Sequence, residues 1–281
     1  MTRLTPCRIV LTLALCFSFT SARAQVTFTD TGADASDIQA TVDNFRSALG
    51  ALNAPEPVQN VGGRRQINWD AAPDSISAPN LFPGDFFNFS ASPRARGIEF
   101  TTPGSGFFLS ATQASGVGIE FDNIQNGYSE LFNTFSAERL FTPQESVITD
   151  AKFFSPADQT TPALTRGFGA VFTDVDFIGF SRIDYFDDQG SLLTTVEAPN
   201  NGPNETLSFA GAIFDTPVVA SVRIYTGTAP LGPGVNEDLS NSIDLVVLDD
   251  FIYGEPTVVP EPTTAILGAS VVLLTLMRRR R

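Results

Sequence analysis

The chain has 281 residues, with 17 Lys or Arg, 31 Asp or Glu and no His, so its formal net charge is −14. Seven of the bases stand at the ends (Arg3, Arg8, Arg23 and Arg278 to Arg281), which leaves the chain between them with 31 acids against ten bases, a net charge of −21. With no histidine, and with Cys7 and Cys16 confined to the first two dozen residues, this body has no disulfide, thiolate nucleophile, Cys/His zinc site or serine-histidine triad, and its acidity argues against nucleic-acid binding.

In chain order, Arg3 and Arg8, the apolar run Ile9 to Phe19 and the small residues closing at Ala22-Arg23-Ala24 predict a signal peptide over residues 1–24. The secretion translocase would carry it and signal peptidase would cut before Gln25. The 11 residues of the run reach about 16 Å as a helix, short of the roughly 30 Å hydrocarbon core an anchor must cross. Residues 25–60 are expected to form an N-terminal segment. In it Ile38, Val42, Phe45, Leu49 and Leu52 recur at amphipathic-helix spacing, Ser36 is placed to cap the start and Gly50 lies near the end. Pro55-Glu56-Pro57 reads as a linker to a sheet domain over 61–256.

That domain shows 11 strand-like runs: Arg65 to Trp69, Gly97 to Thr101, Gly106 to Ser110, Val117 to Phe121, Val147 to Phe154, Phe168 to Val175, Phe180 to Phe186, Leu192 to Val196, Leu207 to Phe214, Val219 to Tyr225 and Ile243 to Tyr253. Runs without intervening helices predict an antiparallel sandwich. Asp187-Asp188-Gln189-Gly190 reads as a hairpin turn with Gly190 left-handed. Trp69 and the pairs Phe86-Phe87 and Phe107-Phe108 are read first as core. A sugar-stacking Trp69, or one exposed ring from each pair, is the alternative.

Carboxylates carry the only plausible chemistry. In the run Ile243 to Tyr253, adjacent Asp249 and Asp250 fall on opposite faces of a regular strand, so one of them would enter an apolar layer and need an arginine, backbone donors or a metal. Arg166, Arg182 and Arg223 are candidate partners. Calcium suits hard oxygen ligands, with Asp174, Asp176, Asp249 and Asp250 as its candidate ligands. No EF-hand spacing accompanies them.

The tail begins with Val259-Pro260-Glu261-Pro262. Thr263 to Met277 follow without charge, a hydrophobic helix of about 22 Å. Arg278, Arg279, Arg280 and Arg281 orient it with its end in the cytoplasm. Prolines 260 and 262 keep the preceding chain extended. This tripartite segment, residues 257–281, resembles the PEP-CTERM sorting signal of Gram-negative, exopolysaccharide-producing bacteria. The resemblance implies an exosortase-type processing enzyme as partner, cleavage near Pro260 to Pro262, transient anchoring in the inner membrane and delivery to the cell surface or matrix.

Gly167 to Phe172, the hairpin turn, Leu207-Ser208-Phe209 and Leu248 to Tyr253 resemble the jelly-roll ectodomains attached to such tails. The fold expected is therefore mainly β: a jelly-roll-like sandwich with one N-terminal amphipathic helix and a C-terminal hydrophobic helix. The function expected is non-catalytic, an exported module that meets extracellular polysaccharide or the cell surface. The alternatives are a glycoside-cleaving enzyme built on two carboxylates and a calcium-dependent adhesion module.

Overall fold

A computed structural model describes residues 25–200, 202 and 204–258. The expected signal peptide, with Ala22 and Ala24, and the expected sorting motif, hydrophobic helix and arginines from Val259 to Arg281 lie outside the described residues. Among the described residues no helix is long and apolar enough to cross a membrane.

Among the described residues, twelve strands, one α-helix and four single-turn 3-10 helices make up the regular structure. The chain opens on β1 (Gln25–Gly32) and α1 (Ala35–Leu49). Then come β2 (Arg64–Ile67), β3 (Ile98–Thr101), β4 (Gly106–Leu109), β5 (Phe141–Gln144), β6 (Ile148–Phe153) and β7 (Gly167–Thr173). The remainder are β8 (Arg182–Phe186), β9 (Leu192–Glu197), β10 (Leu207–Phe214), β11 (Ser221–Tyr225) and β12 (Val247–Gly254). One sheet runs β1-β10-β7-β12-β5-β4, with β2 also on β12, and the other runs β3-β6-β11-β8-β9. Every pairing between these strands is antiparallel. From β5 to β12 the chain changes sheet at every connection except the β8–β9 hairpin, whose turn has Gly190 at φ 75° as expected.

The inner faces of both sheets supply one core, in which Phe168 and Phe172 of β7 meet Ile183 and Tyr185 of β8, Val222 and Ile224 of β11 and Phe251 of β12. Trp69 is part of it, stacked on Phe141 at 4.4 Å between ring centroids and with its indole N–H on the Asp249 carbonyl at 2.8 Å. The core reading of this tryptophan holds. Phe107 is buried in the same core, while Phe108 packs into a third cluster with Phe121, Tyr128 and Phe132.

The outer face of the larger sheet carries α1. Ile38, Val42, Phe45 and Leu49, the spacing read from the sequence, pack on Val171, Leu207, Phe209, Ile213 and Ile252. The helix is capped by Asp34, whose N–H donates to Asp37, and not by Ser36. An acid at this end also complements the helix dipole. Segment 25–60 is therefore built into the sandwich, since β1 pairs with β10 over its whole length. The expected linker is also docked: buried Arg65 donates to the carbonyls of Glu56 and Val58.

Two strands are additional to the expected set. In β1 the pattern Val26-Thr27-Phe28-Thr29 is a strand signal, short and lying directly before the helix. In β5 Pro143 argues against a strand, but β5 meets β12 only at Leu248↔Phe141, so the missing proline N–H falls beyond that pairing. One expected strand, Val117 to Phe121, is a turn region. Glu120 and Phe121 adopt φ of 47° and 70°, and Asp122 accepts the N–H groups of Gly127 and Ser129 to tighten the following loop.

Candidate metal centre

Asp249 and Asp250 sit at the point where β12 changes register against β7: Leu248 faces Phe172 and Phe251 faces Ala170. The extra residue is a bulge. It keeps Leu248 and Phe251 both in the inner core and leaves both aspartates on the outer side, under α1. The expected dilemma, one carboxylate forced into an apolar layer, is removed by this geometry. Asp249 accepts the N–H groups of Phe135 at 2.6 Å and Ser136 at 3.1 Å. Asp250 accepts the Ser136 hydroxyl at 2.7 Å and Arg46 Nη2, from α1, at 3.0 Å. Burial, reinforced by each other's charge, raises Asp249, and burial raises Asp250 against the pull of Ser136 and Arg46. Their oxygens are committed to protein donors, so they make an internal polar network.

None of the three arginines expected to serve them does so, and two are engaged elsewhere. Arg223 pairs with Asp150 at 2.7 Å across the β11–β6 ladder, and Arg182 lies 3.6 Å from Asp184 and over the Tyr225 ring. Arg166 forms no ion pair among the described residues. Arg46, on the helix, is the partner.

Asp174 and Asp176 belong to a different constellation. Asp174 follows the last residue of β7 with φ 68°, its N–H held by the Thr206 carbonyl at 2.9 Å, and Asp176 is two residues on. The loop before β12 brings Glu237 to them, and carboxylate oxygens of all three lie within 4.8 Å of one another. Fully buried Asp244, from the same loop, adds a fourth charge felt by Asp174. Its Oδ2 accepts the Phe177 N–H at 3.2 Å.

What sets this cluster apart is what its oxygens lack. Asp174 is 0 % exposed and neither of its carboxylate oxygens meets an N–H or O–H donor; the Glu237 carboxyl beside it can bond it only through a shared proton. Asp176 Oδ2, Glu237 Oε2 and Asp244 Oδ1 are likewise enclosed and unpartnered. Burial first, and then the Glu237 charge, pushes Asp174 far above the usual carboxylate range. Burial also raises Asp176 and Glu237, and takes Asp244 to about 7. Such groups must take up protons or a cation. Calcium binds oxygens at about 2.3–2.6 Å, so two ligands can stand about 5 Å apart across one ion, which accommodates the observed separations.

The sequence therefore indicated half of the cluster. Glu237 and Asp244 stand more than sixty residues beyond Asp174, and nothing local marks them except the excess of acids. No family model matches the chain, and none of the curated proteins or solved structures matches it.

Proposed function

We propose that the chain is an exported, non-catalytic jelly-roll-like module of the bacterial cell surface or matrix. In this reading it is released from a PEP-CTERM-like tail and consolidated outside the cell by calcium at Asp174, Asp176, Glu237 and Asp244. The observation that carries it is the convergence of Asp174, Asp176 and Glu237 within 4.8 Å, with Asp244 near enough to raise Asp174 and with enclosed oxygens in all four that meet no N–H or O–H donor. The order β5-β12-β7-β10 against β6-β11-β8-β9 supports the jelly-roll reading. A glycoside-cleaving pair would need two carboxyls about 5–9.5 Å apart facing a substrate cleft. Two cavities of about 300 and 150 Å³ offer no such pair, being lined by aromatic, amide, arginine and apolar residues.

The mature protein should start at Gln25 and lack Arg278 to Arg281 when its termini are mass-measured from the native host; a secreted product retaining Arg281 contradicts the processing. Millimolar calcium should raise its melting temperature over chelator by about 5 °C or more. Asp174→Asn should lose that increment while melting higher than wild type in chelator at neutral pH. An equal calcium response in both proteins would remove the ion from this cluster.

A further inference from the structure

A cavity of about 300 Å³ opens beside the aromatic core, walled by Trp69, Pro73, Phe86, Phe87, Arg94 and Arg96 among others. Its two arginines carry no carboxylate partner. Arg46, Arg65, Arg139, Arg182 and Arg223 pair with carboxylates, whereas Arg94 and Arg96, like Arg64 and Arg166, pair with none among the described residues, although acids outnumber bases threefold in the body.

Both guanidinium groups are nevertheless fixed in place. Arg94 lies 4.0 Å from the centroids of both the Phe86 and Phe89 rings and donates Nε–H to the Phe86 carbonyl. Arg96 lies 4.7 Å from the Phe87 ring and donates one Nη1–H to the Gln66 carbonyl at 2.7 Å. Stacked guanidinium groups with N–H edges left over are pre-organised for a planar carboxylate. Half-buried Phe86 and the two prolines, Pro73 and Pro93, offer apolar surface beside them. A second cavity of about 150 Å³ shares Asn68 and Arg96 with the first and adds Asn53 and Gln66, amides suited to hydroxyl groups. Trp69 holds φ 65° at the junction of this wall and the core, a strained conformation for a bulky residue.

We propose that these adjoining cavities bind a uronate-containing saccharide. The carboxylate would lie against Arg94 and Arg96, the apolar face of its ring on Phe86 and the prolines, and the neighbouring sugar among the amides. This deepens the surface-module reading, and rests on it for the polymeric source of the sugar. Burial holds Arg96 below the usual guanidinium range, a cost that a bound anion offsets.

The test is calorimetric titration of the mature protein with digalacturonate, galacturonate, neutral galactobiose and sulfate, in calcium and again in chelator. Digalacturonate should bind saturably and galactobiose should not. Arg94→Gln and Arg96→Gln should each weaken digalacturonate by about tenfold or more, with melting temperatures near wild type. Arg94→Lys, which keeps the charge and loses the fork, should restore less than the full affinity. Galacturonate as tight as digalacturonate supports a free-sugar source; weaker galacturonate supports a polymer chain. Equal binding of galactobiose, equal binding of sulfate, no binding of either uronate, or unchanged affinity in Arg94→Gln overturns the assignment. The chelator arm separates this failure from failure of the calcium reading, since the cavity residues include none of the four clustered carboxylates. If Arg96→Gln fails to fold, the Arg94 pair of variants decides alone.

Discussion

Arg65 and Glu255 meet through hydrogen bonds of 2.7 and 2.8 Å with both side chains closed off from water. Glu255 also accepts from Asn53 and from the Asn60 N–H, and Arg65 also donates to the Ala95 and Val58 carbonyls. Removing one member leaves the other's charge and these groups unpaired. Glu255→Gln or Arg65→Met should therefore lower stability by about 3–5 kcal/mol in urea denaturation, and the double variant by less than the two single losses added. A loss near zero for both single variants would contradict the pairing. This bond was not legible in the sequence, because its members are 190 positions apart and neither stands in a local pattern. The same limit applied to the metal centre. Composition and a strand pattern pointed to Asp174, Asp176, Asp249 and Asp250, but only the crossing of distant loops sorts the first two toward Glu237 and the last two toward Ser136 and Arg46.

Elements with a clear period were read well, and those set by context were not. The spacing Ile38, Val42, Phe45, Leu49 gave α1 and its buried stripe, yet the sequence did not say where that stripe docks. The sheet receives it through two glycines paired across β7 and β10, Gly169 and Gly211. A Cβ on Gly211 would come 2.8 Å from the Phe45 ring, and one on Gly169 would come 2.7 Å from Phe209 and 3.0 Å from Phe45. Gly211→Ala should thus cost about 1–3 kcal/mol by overpacking, and Phe45→Ala about 3–5 kcal/mol by leaving a cavity. Denaturant midpoints measure both, and a neutral Gly211→Ala would mean that the helix shifts to make room. The Val117 to Phe121 error has a physical origin too. An apolar alternation predicts which residues are buried, and Phe121 is buried, but it does not exclude the positive φ values that turn the chain there.

For the whole molecule, the buried acids set a pH dependence. Burial raises Asp70 to about 6 and both Asp244 and Glu120 to about 7. A carboxyl with a raised folded-state pKa binds more protons folded than unfolded, so its contribution is present below the ordinary carboxylate value and is lost as pH rises through the folded one. In chelator the melting temperature should therefore fall between about pH 4.5 and pH 8. On the proposed calcium reading the ion would take the place of protons at the cluster, and millimolar calcium should flatten that fall. A chelator profile rising toward neutral pH would contradict this account.

The position of β12 also bears on how the chain reaches its final form. It is the last strand among the described residues, yet it lies in the middle of the larger sheet, bonded on one side to β7 and on the other to β5 and β2. A polypeptide made amino end first cannot close that sheet until residues 247–254 have been added. Long-range pairings of this kind are slow to form. The larger sheet thus stays open, whatever its earlier strands have done, until this strand takes its place in the middle.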